Sequence, residues 1–498
     1  MITTITFIPL VAALAIVLAP SANRGMIKIL ALVGTLISSV LAIQLVLHFD
    51  FGGELQFVEK YAWIPSIGVD YFLGIDGLNA LLVLLVAFLS PIFVLASWKV
   101  DEKAKTYFSL LCLQITALYG AFTALNFFHW FIFWEGALVP VFFLIKLYGG
   151  DGRHKAAISF FIFTVLGSVA MLLGVLLLYL NTGSFDFIEL RKLAVEGVIF
   201  EKLGVLYPTI FVAVMLGLWV KVPLFPLHPW QAAAYAEAPV AVSMVLTGVM
   251  SKMGVYGFLR LVVPVFPEAI RDYSNTLLNL TLITILWGAF LALRQSDIKR
   301  ILAYSSLNHV AYCMFGIFAV GAAMGVDKIN APAIAMQGAI LQMFAHGIGA
   351  SGLFYVAGKM EEVGGTRDIR AFGGLGTVMP RYAFVFSFLI FSSLGLPFLA
   401  GFAAEILIFS GVFSIAPIHT GFALLGLLAT AIFLLTIIQR IFTGKTNATH
   451  FGATDISYGE VLIILPLLVL TVWIGVAPST WLILSDQFVQ TLVSLLIR

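Results

Sequence analysis

A run of roughly twenty apolar residues is long enough to cross a bilayer as a helix. This sequence contains fourteen candidate runs, near residues 2–20, 28–48, 78–98, 107–125, 128–148, 157–181, 205–225, 240–264, 275–293, 299–320, 332–358, 382–411, 418–440 and 459–479. Almost nothing is left over for a water-facing domain. Of the 498 residues, 61% are hydrophobic and 10% are charged, where a soluble protein carries about 25%. So few charges cannot cover a surface in water, and the solvent for most of this chain must be lipid. The expected fold is an all-α polytopic membrane protein of about fourteen transmembrane helices. The first run lacks a basic leader, which marks it as a spanning helix rather than a cleaved signal. The tail after residue 480 is amphipathic and fits the membrane interface.

Lysine and arginine set the orientation. With the N-terminus outside, seventeen of the 27 basic residues fall in inside loops and seven outside, Lys328 and Arg498 among the latter. Lys221, Lys252 and Arg260 fall within spans. The asymmetry favours an even number of spans with both termini outside. The chain is thus read as an integral protein of a bacterial inner membrane with periplasmic termini.

Two runs are interrupted. The seventh reads GLWVKVPLFPLHPW, with Pro223, Pro226 and Pro229, and the twelfth reads SSLGLPFLAGFAAE, with Gly395, Pro397 and Gly401. Proline deletes a backbone hydrogen bond, and in lipid the freed carbonyl needs a partner. Such breaks are tolerated where they line a cavity. Their separation by five spans predicts two five-helix repeats of inverted topology, since five is odd. The expected division is 1–105 for helices 1–3, 106–264 for the first repeat, 275–441 for the second, and 459–498 for helix 14 and the tail.

A charge at bilayer depth costs several kcal/mol, so it points to function by default. Glu135 lies in NFFHWFIFWEGALVPVFFLI, Lys221 just before the first break, Lys252 in GVMSKMGVYGFL, and Glu405 just after the second break. A lone carboxylate at such depth stays neutral, and a nearby cation reverses that. Glu135 and Lys221 therefore form a candidate switchable pair, with the ammonium solvated by carbonyls freed at the break. A static ion pair locking two helices is the plainer alternative. Lys252 is too far from either interface to reach it, whereas Arg260, near the outer end of the same helix, is expected to snorkel. Glu405 is the natural terminal group toward the outside. Histidine titrates near neutrality and can bridge such sites. His309 and His346 sit in the tenth and eleventh runs, His228 beside the first break, and His129 at an expected interface. A carboxylate, two lysines, a histidine and a second carboxylate on different helices make a proton wire.

Other chemistries find no footing. Cys112 and Cys313 lie in apolar runs and propose no disulfide or cluster. The histidines lack the company of metal ligands. There is no G-x-G-x-x-G, P-loop or H-E-x-x-H signal, and no basic run suited to nucleic acid.

The residues around these charges resemble the antiporter-like subunits of respiratory complex I, and most closely the subunit 4 (chain M) branch. The resemblance spans about residues 70–480. It rests on FIFWEGALVPVFFLI, KVPLFPLHPW, VMSKMGVYGFLR, QSDIKRILAYSSLNHV, QMFAHGIGASGLF and LGLPFLAGFAAE, with YFLGIDGLNALLVLL around Asp76. It implies fourteen helices with broken helices 7 and 12. Glu135 and Lys221 would be the inlet ion pair, Lys252 the central relay, His309 a further relay and Glu405 the group near the outlet. His228, His346, Pro223 and Pro397 would support them. It also implies that NADH, FMN, iron–sulfur clusters and quinone belong to partner subunits, with no cofactor or metal on this chain. The partners would be other membrane-arm subunits, including neighbouring antiporter-like ones. The expected role is proton translocation coupled to redox chemistry elsewhere in an NADH:quinone oxidoreductase. The rivals are a subunit of an Mrp-type sodium/proton antiporter, a non-pumping scaffold, or a subunit of a related energised complex for hydrogenase or inorganic carbon uptake. Glutamate at 405 argues against the antiporter. One stretch departs: the family reads H-x-W-L-P-D-A-H-x-x-A-P where this chain has HPWQAAAYAEAP, with an alanine and Tyr235 in place of the acid and second histidine.

Overall fold

The computed structural model describes residues 1–323, 330–445 and 454–497; Lys328 and Arg498, assigned to the outer side above, lie outside the described residues. Every candidate run forms a helix or a pair of helices. They are α1 (Ile2–Leu18), α2 (Arg24–Leu47), α3 (Ala80–Ala96), α4 (Ala104–Thr123), α5 (Phe127–Tyr148), α6 (Arg153–Thr182), α7a (Tyr207–Lys221) and α7b (Pro229–Glu237). There follow α8 (Val240–Val265), α9 (Ser274–Leu293), α10 (Ile298–Gly321), α11 (Asn330–Gly364), α12a (Pro380–Ser393), α12b (Ala400–Ile415), α13 (Pro417–Phe442) and α14 (Tyr458–Val476). The tail forms an amphipathic helix, α15 (Asp486–Ile497).

Among the described residues, eleven helices are long and apolar enough to cross a membrane. The three candidates outside that set are α1 and α3, of 17 residues each, and the divided twelfth, with pieces of 14 and 16. A 17-residue helix rises about 25 Å, at the short limit for a hydrocarbon core of roughly 30 Å. Fourteen crossings therefore remains a reading, and eleven full-length helices is the observation.

The helices are not equivalent. The apolar windows of α8, α10 and α11 are 100%, 94% and 94% buried within the chain, against 28% for α14 and 33% for α13. The outer helices meet the surroundings, and the inner three see only protein. A charged residue on an inner helix is thereby removed from lipid. The middle of α8 is also irregular. Wider five-residue turns at Leu246–Met250 and Phe258–Val262 bracket Lys252. Such turns release backbone carbonyls from the α ladder and cluster at functional sites.

One element has no counterpart in the helical expectation. Leu55–Ile64 (β1) and Val69–Asp76 (β2) form an antiparallel hairpin, with Lys60 opposite Phe72. It turns through Pro65–Ile67 and Gly68, whose φ of +63° a glycine adopts without strain. The hairpin lies on the face of the bundle that also carries both ends of the chain. The Met1 amino group bonds Glu59, and Gly77 packs directly against Ser485 and Phe488. Lys60 binds Asp186 at 2.8 Å and Asp70 at 3.4 Å. Burial works against its charge, but the two carboxylates hold its pKa above the ordinary lysine value. Both termini on one face is what an even number of crossings requires.

Candidate proton path

Lys221 is the last residue of α7a and is almost fully buried. Its ammonium donates to the Trp134 carbonyl of α5 at 3.4 Å and lies 4.3 Å from the centre of the Trp134 ring. The indole is held by its own donation to Ser168 at 2.9 Å. The expectation that carbonyls freed at the break would solvate this lysine is not met, because tryptophans take them. Trp230 Nε1 donates to the Val220 carbonyl at 3.2 Å, and Trp219 Nε1 to the Phe225 carbonyl at 2.9 Å. The Phe225 N–H is satisfied by Thr284 Oγ1 at 3.0 Å. Pro223 is buried inside this closed turn.

Glu135 sits about two turns beyond the start of α5, just before that helix is interrupted at Ala137. It is half-buried rather than enclosed. Its carboxylate is near enough to attract Lys221 electrostatically, but among the described residues the two form no direct ion pair. His228 caps α7b; its ring stacks on Phe225, and its buried Nδ1 has no protein partner. Tyr235, on the departing stretch, buries its hydroxyl and donates to the Leu246 carbonyl at 3.1 Å, at the first wide turn of α8. His129 is buried under the hairpin, against Trp63 and Tyr71, rather than open to an interface.

Lys252 is enclosed at the centre, with 1% of its surface exposed. Its ammonium donates to the Thr247 carbonyl, within the wide turn. The hydroxyl of that same threonine, which the ammonium does not contact directly, starts a run of polar groups to α10. The Thr247 hydroxyl donates to Ser306 Oγ at 2.9 Å, and Ser306 Oγ lies 3.0 Å from His346 Nε2. His346 stacks on His309 with ring centroids 4.9 Å apart. His309 Nε2 is 3.0 Å from Ser393 Oγ, and its Nδ1 faces Glu405 Oε1 at 3.1 Å and the Gln342 amide at 3.2 Å. Glu405 is 4% exposed. The second break admits its carboxylate through Gly395, which has φ +82° and where an added Cβ would stand 2.8 Å from Glu405 Oε2. Any other side chain would be strained there and would meet the acid. Pro397 lies on the exposed side of this break, next to Phe398.

The chain as a whole has known relatives. The family described as NADH:quinone oxidoreductase/Mrp antiporter, transmembrane, matches residues 124–433. This chain belongs to that family. Within it, the chain is 32% identical to NADH-quinone oxidoreductase subunit M of Rickettsia prowazekii, over 98% of this chain and 97% of that one. It is 35% identical to the F(420)H(2) dehydrogenase subunit M of Methanosarcina mazei, over 93% and 92%. A chain of respiratory complex I from Thermus thermophilus superposes with a TM-score of 0.86 at 26% identity, covering both chains fully. The matched region opens at the end of α4 and closes within α13, so it contains Glu135, Lys221, Lys252 and Glu405.

For this member of the family, Lys252, His309, His346 and Glu405 come together as one cluster, whereas Glu135 and Lys221 are held apart within electrostatic reach. No direct ion pair or hydrogen bond joins Lys221 to Lys252 among the described residues. Arg260 does not snorkel. It is buried and donates twice to Asp76, at 2.6 and 2.7 Å, fastening α8 to the hairpin. Sequence reasoning passed over Thr247, Ser306, Gln342 and Ser393. For Thr247, Ser306 and Gln342 the only signal was a polar residue on the same helix as a histidine or lysine, and for Ser393 it was a place at the head of the second break.

Proposed function

We propose that this chain is a proton-translocating membrane-arm subunit of an NADH:quinone oxidoreductase, working beside other membrane-arm subunits and coupled to redox groups on partner subunits. The observation that supports this best is the cluster running from Lys252 to Glu405 through helices that are shielded from lipid. Hydroxyl and imidazole groups can each accept one proton while releasing another. Lys252 is anchored on the Thr247 carbonyl beside the Thr247 hydroxyl, from which Ser306 leads to the histidines and then to Glu405 at the second break. Glu135 and Lys221 form the inlet: a carboxylate that senses the lysine without binding it can bias where the proton rests, and electrostatic change in a neighbouring subunit can act on the half-buried Glu135. The breaks follow the two proposed repeats, 106–264 and 275–441, with the bacterial inner membrane as the setting and both termini on the periplasmic side. No redox or nucleotide chemistry is assigned to this chain.

The likeness to the F(420)H(2) dehydrogenase subunit gives a second reading in which the electron donor is a deazaflavin rather than NADH. The proton path is the same in both, because the donor is bound elsewhere. The test uses the intact assembly reconstituted in liposomes, with proton uptake measured per quinone reduced. Lys252→Met and Glu405→Gln are each expected to lower proton translocation about tenfold or more. Unchanged stoichiometry in both variants would remove the reading, and sodium-dependent proton flux without a redox partner would move it to the antiporter side of the family.

A further inference from the structure

The cluster is interrupted at its two histidines. His309 and His346 lie face to face, with ring planes 29° apart. An imidazole gives and takes protons at its nitrogens, in the plane of the ring, so a stack offers no hydrogen-bonded route across its faces. Both nitrogens of His309 are already engaged, Nε2 with Ser393 and Nδ1 with Glu405 and Gln342.

Beside the stack is a small cavity of ≈ 10 Å³ whose polar lining is Ser305, Ser306, His346 and Ser393. Ser305 is 2% exposed, and its buried hydroxyl has no protein partner. A space of about one water's size with several polar partners is what a buried water requires. An orphaned buried hydroxyl is the usual mark of one. Ser393 is the last residue of α12a, so the helix break delivers its hydroxyl to this point. It touches the cavity on one side and His309 Nε2 on the other.

Resting on the proton-path reading above, we propose that Ser393 and one water in this cavity carry the proton from the Ser306–His346 pair to His309. A proton arriving at Ser306 Oγ from a protonated His346 Nε2 displaces the hydroxyl proton of Ser306 onto the water. The water then protonates Ser393 Oγ as that hydroxyl gives its own proton to His309 Nε2. His309, with the Gln342 amide turned so that its oxygen faces the protonated Nδ1, releases the Nδ1 proton to Glu405. Each serine hydroxyl and the water end as they began, His309 is left as its other tautomer, and one proton has moved. The stacked histidines hold and present protons, while the crossing between them runs around the edge of the stack.

A second cavity, also of ≈ 10 Å³, is lined by His309, Gln342, Gly349 and Ser392 and shares His346, Ala350 and Ser393 with the first. It provides the control. A methyl added at Gly349 meets nothing within 4 Å, so Gly349→Ala fills that space without displacing a neighbour.

The experiment compares Ser393→Thr, which keeps the hydroxyl, with Ser393→Val, which has the same shape without it, in the intact assembly in liposomes. Ser393→Val is expected to lower proton translocation about tenfold or more, Ser393→Thr to stay within about threefold of the parent and Gly349→Ala within about twofold. Equal rates in Ser393→Thr and Ser393→Val would overturn the proposal, as would a loss confined to Gly349→Ala. Lys252→Met and Glu405→Gln in the same preparation separate the two levels. If they stop translocation and Ser393→Val does not, the serine bridge alone fails. If they too leave it intact, the path itself is wrong and the bridge falls with it.

Discussion

The two broken helices occupy matching places in the chain but treat their charged residue differently. At the first, indoles and a threonine hydroxyl close the break, Lys221 turns away from it to the Trp134 carbonyl, and Glu135 stays out of contact. At the second, the break stays open around Gly395, and Glu405 enters to meet His309 at 3.1 Å. A charge without its direct counterion is easily biased by a change outside, because little binding must be undone. A carboxylate in contact with its partner instead fixes where a proton will be handed on. The first half is built to be set and the second to deliver.

This contrast breaks first at Arg260. The first half does contain a directly paired buried charge, but it is the Asp76–Arg260 fork, far from any relay, and it fastens α8 to the hairpin. If its role is structural, removing one partner leaves the other buried and alone. Arg260→Met is expected to destabilise the chain by about 3–5 kcal/mol, whereas the double change with Asp76→Asn recovers much of that. Thermal unfolding of the purified assembly, followed by whether the subunit stays bound, measures both. A stable Arg260→Met variant that has lost only proton translocation would show that this pair belongs to the path and that the division between halves is misplaced.

The second test shortens each acid by one carbon. Glu405→Asp withdraws the carboxylate from its 3.1 Å approach to His309 Nδ1. That predicts a fall in proton translocation of roughly tenfold or more. Glu135→Asp breaks no contact, and Coulomb attraction changes gently with distance, so its effect is expected to stay within about threefold. Equal losses at the two sites would mean that Glu135 meets Lys221 directly during turnover, which would make the halves alike.

The comparison also explains what could be read from sequence. Charges inside apolar runs announce themselves, because lipid makes them costly. Hence Lys221, Lys252 and Glu405 were legible, as were the two breaks. The hydroxyls were not. Thr123, Thr281 and Thr471 each donate to the carbonyl four residues back on their own helix and do nothing further visible. Nothing in the run around Ser306 or Ser393 separates them from that majority, since what distinguishes them is the neighbouring helix. The same holds for the destination of Lys221: a tryptophan carbonyl 87 residues away in sequence leaves no local trace. The hairpin was hidden for another reason. Its alternation is weak, with charged and aromatic side chains mixed on the exposed strand Leu55–Ile64.

The smallest expected effect concerns how the second break is held open. The helix leading into it, α12a, begins at Pro380, and its first free N–H groups, those of Arg381 and Tyr382, both donate at 3.0 Å to Asp455, from the segment before α14. Asp455 thus caps a helix remote from it in sequence, and Arg381 adds a side-chain contact at 3.2 Å. Burial alone would raise the pKa of this carboxyl, but the donated hydrogen bonds outweigh it and hold the pKa below the ordinary aspartate value. A group depressed on folding contributes stability above its unfolded pKa, near 4, and loses it as the pH falls through the folded value. The cap is therefore intact across the physiological range and weakens only in strong acid. Asp455→Ala removes it at every pH, with an expected cost of about 0.5–2 kcal/mol. Hydrogen exchange along 380–393 reads the result. Faster exchange in the first turn, with Ser393 and the Glu405 cluster still protected, would show that the open break is held by its own packing. Loosening that spreads from Arg381 to Ser393 would show instead that the delivering half depends on an anchor at its far end, and that its fixed geometry is no more intrinsic than the poised geometry of the first.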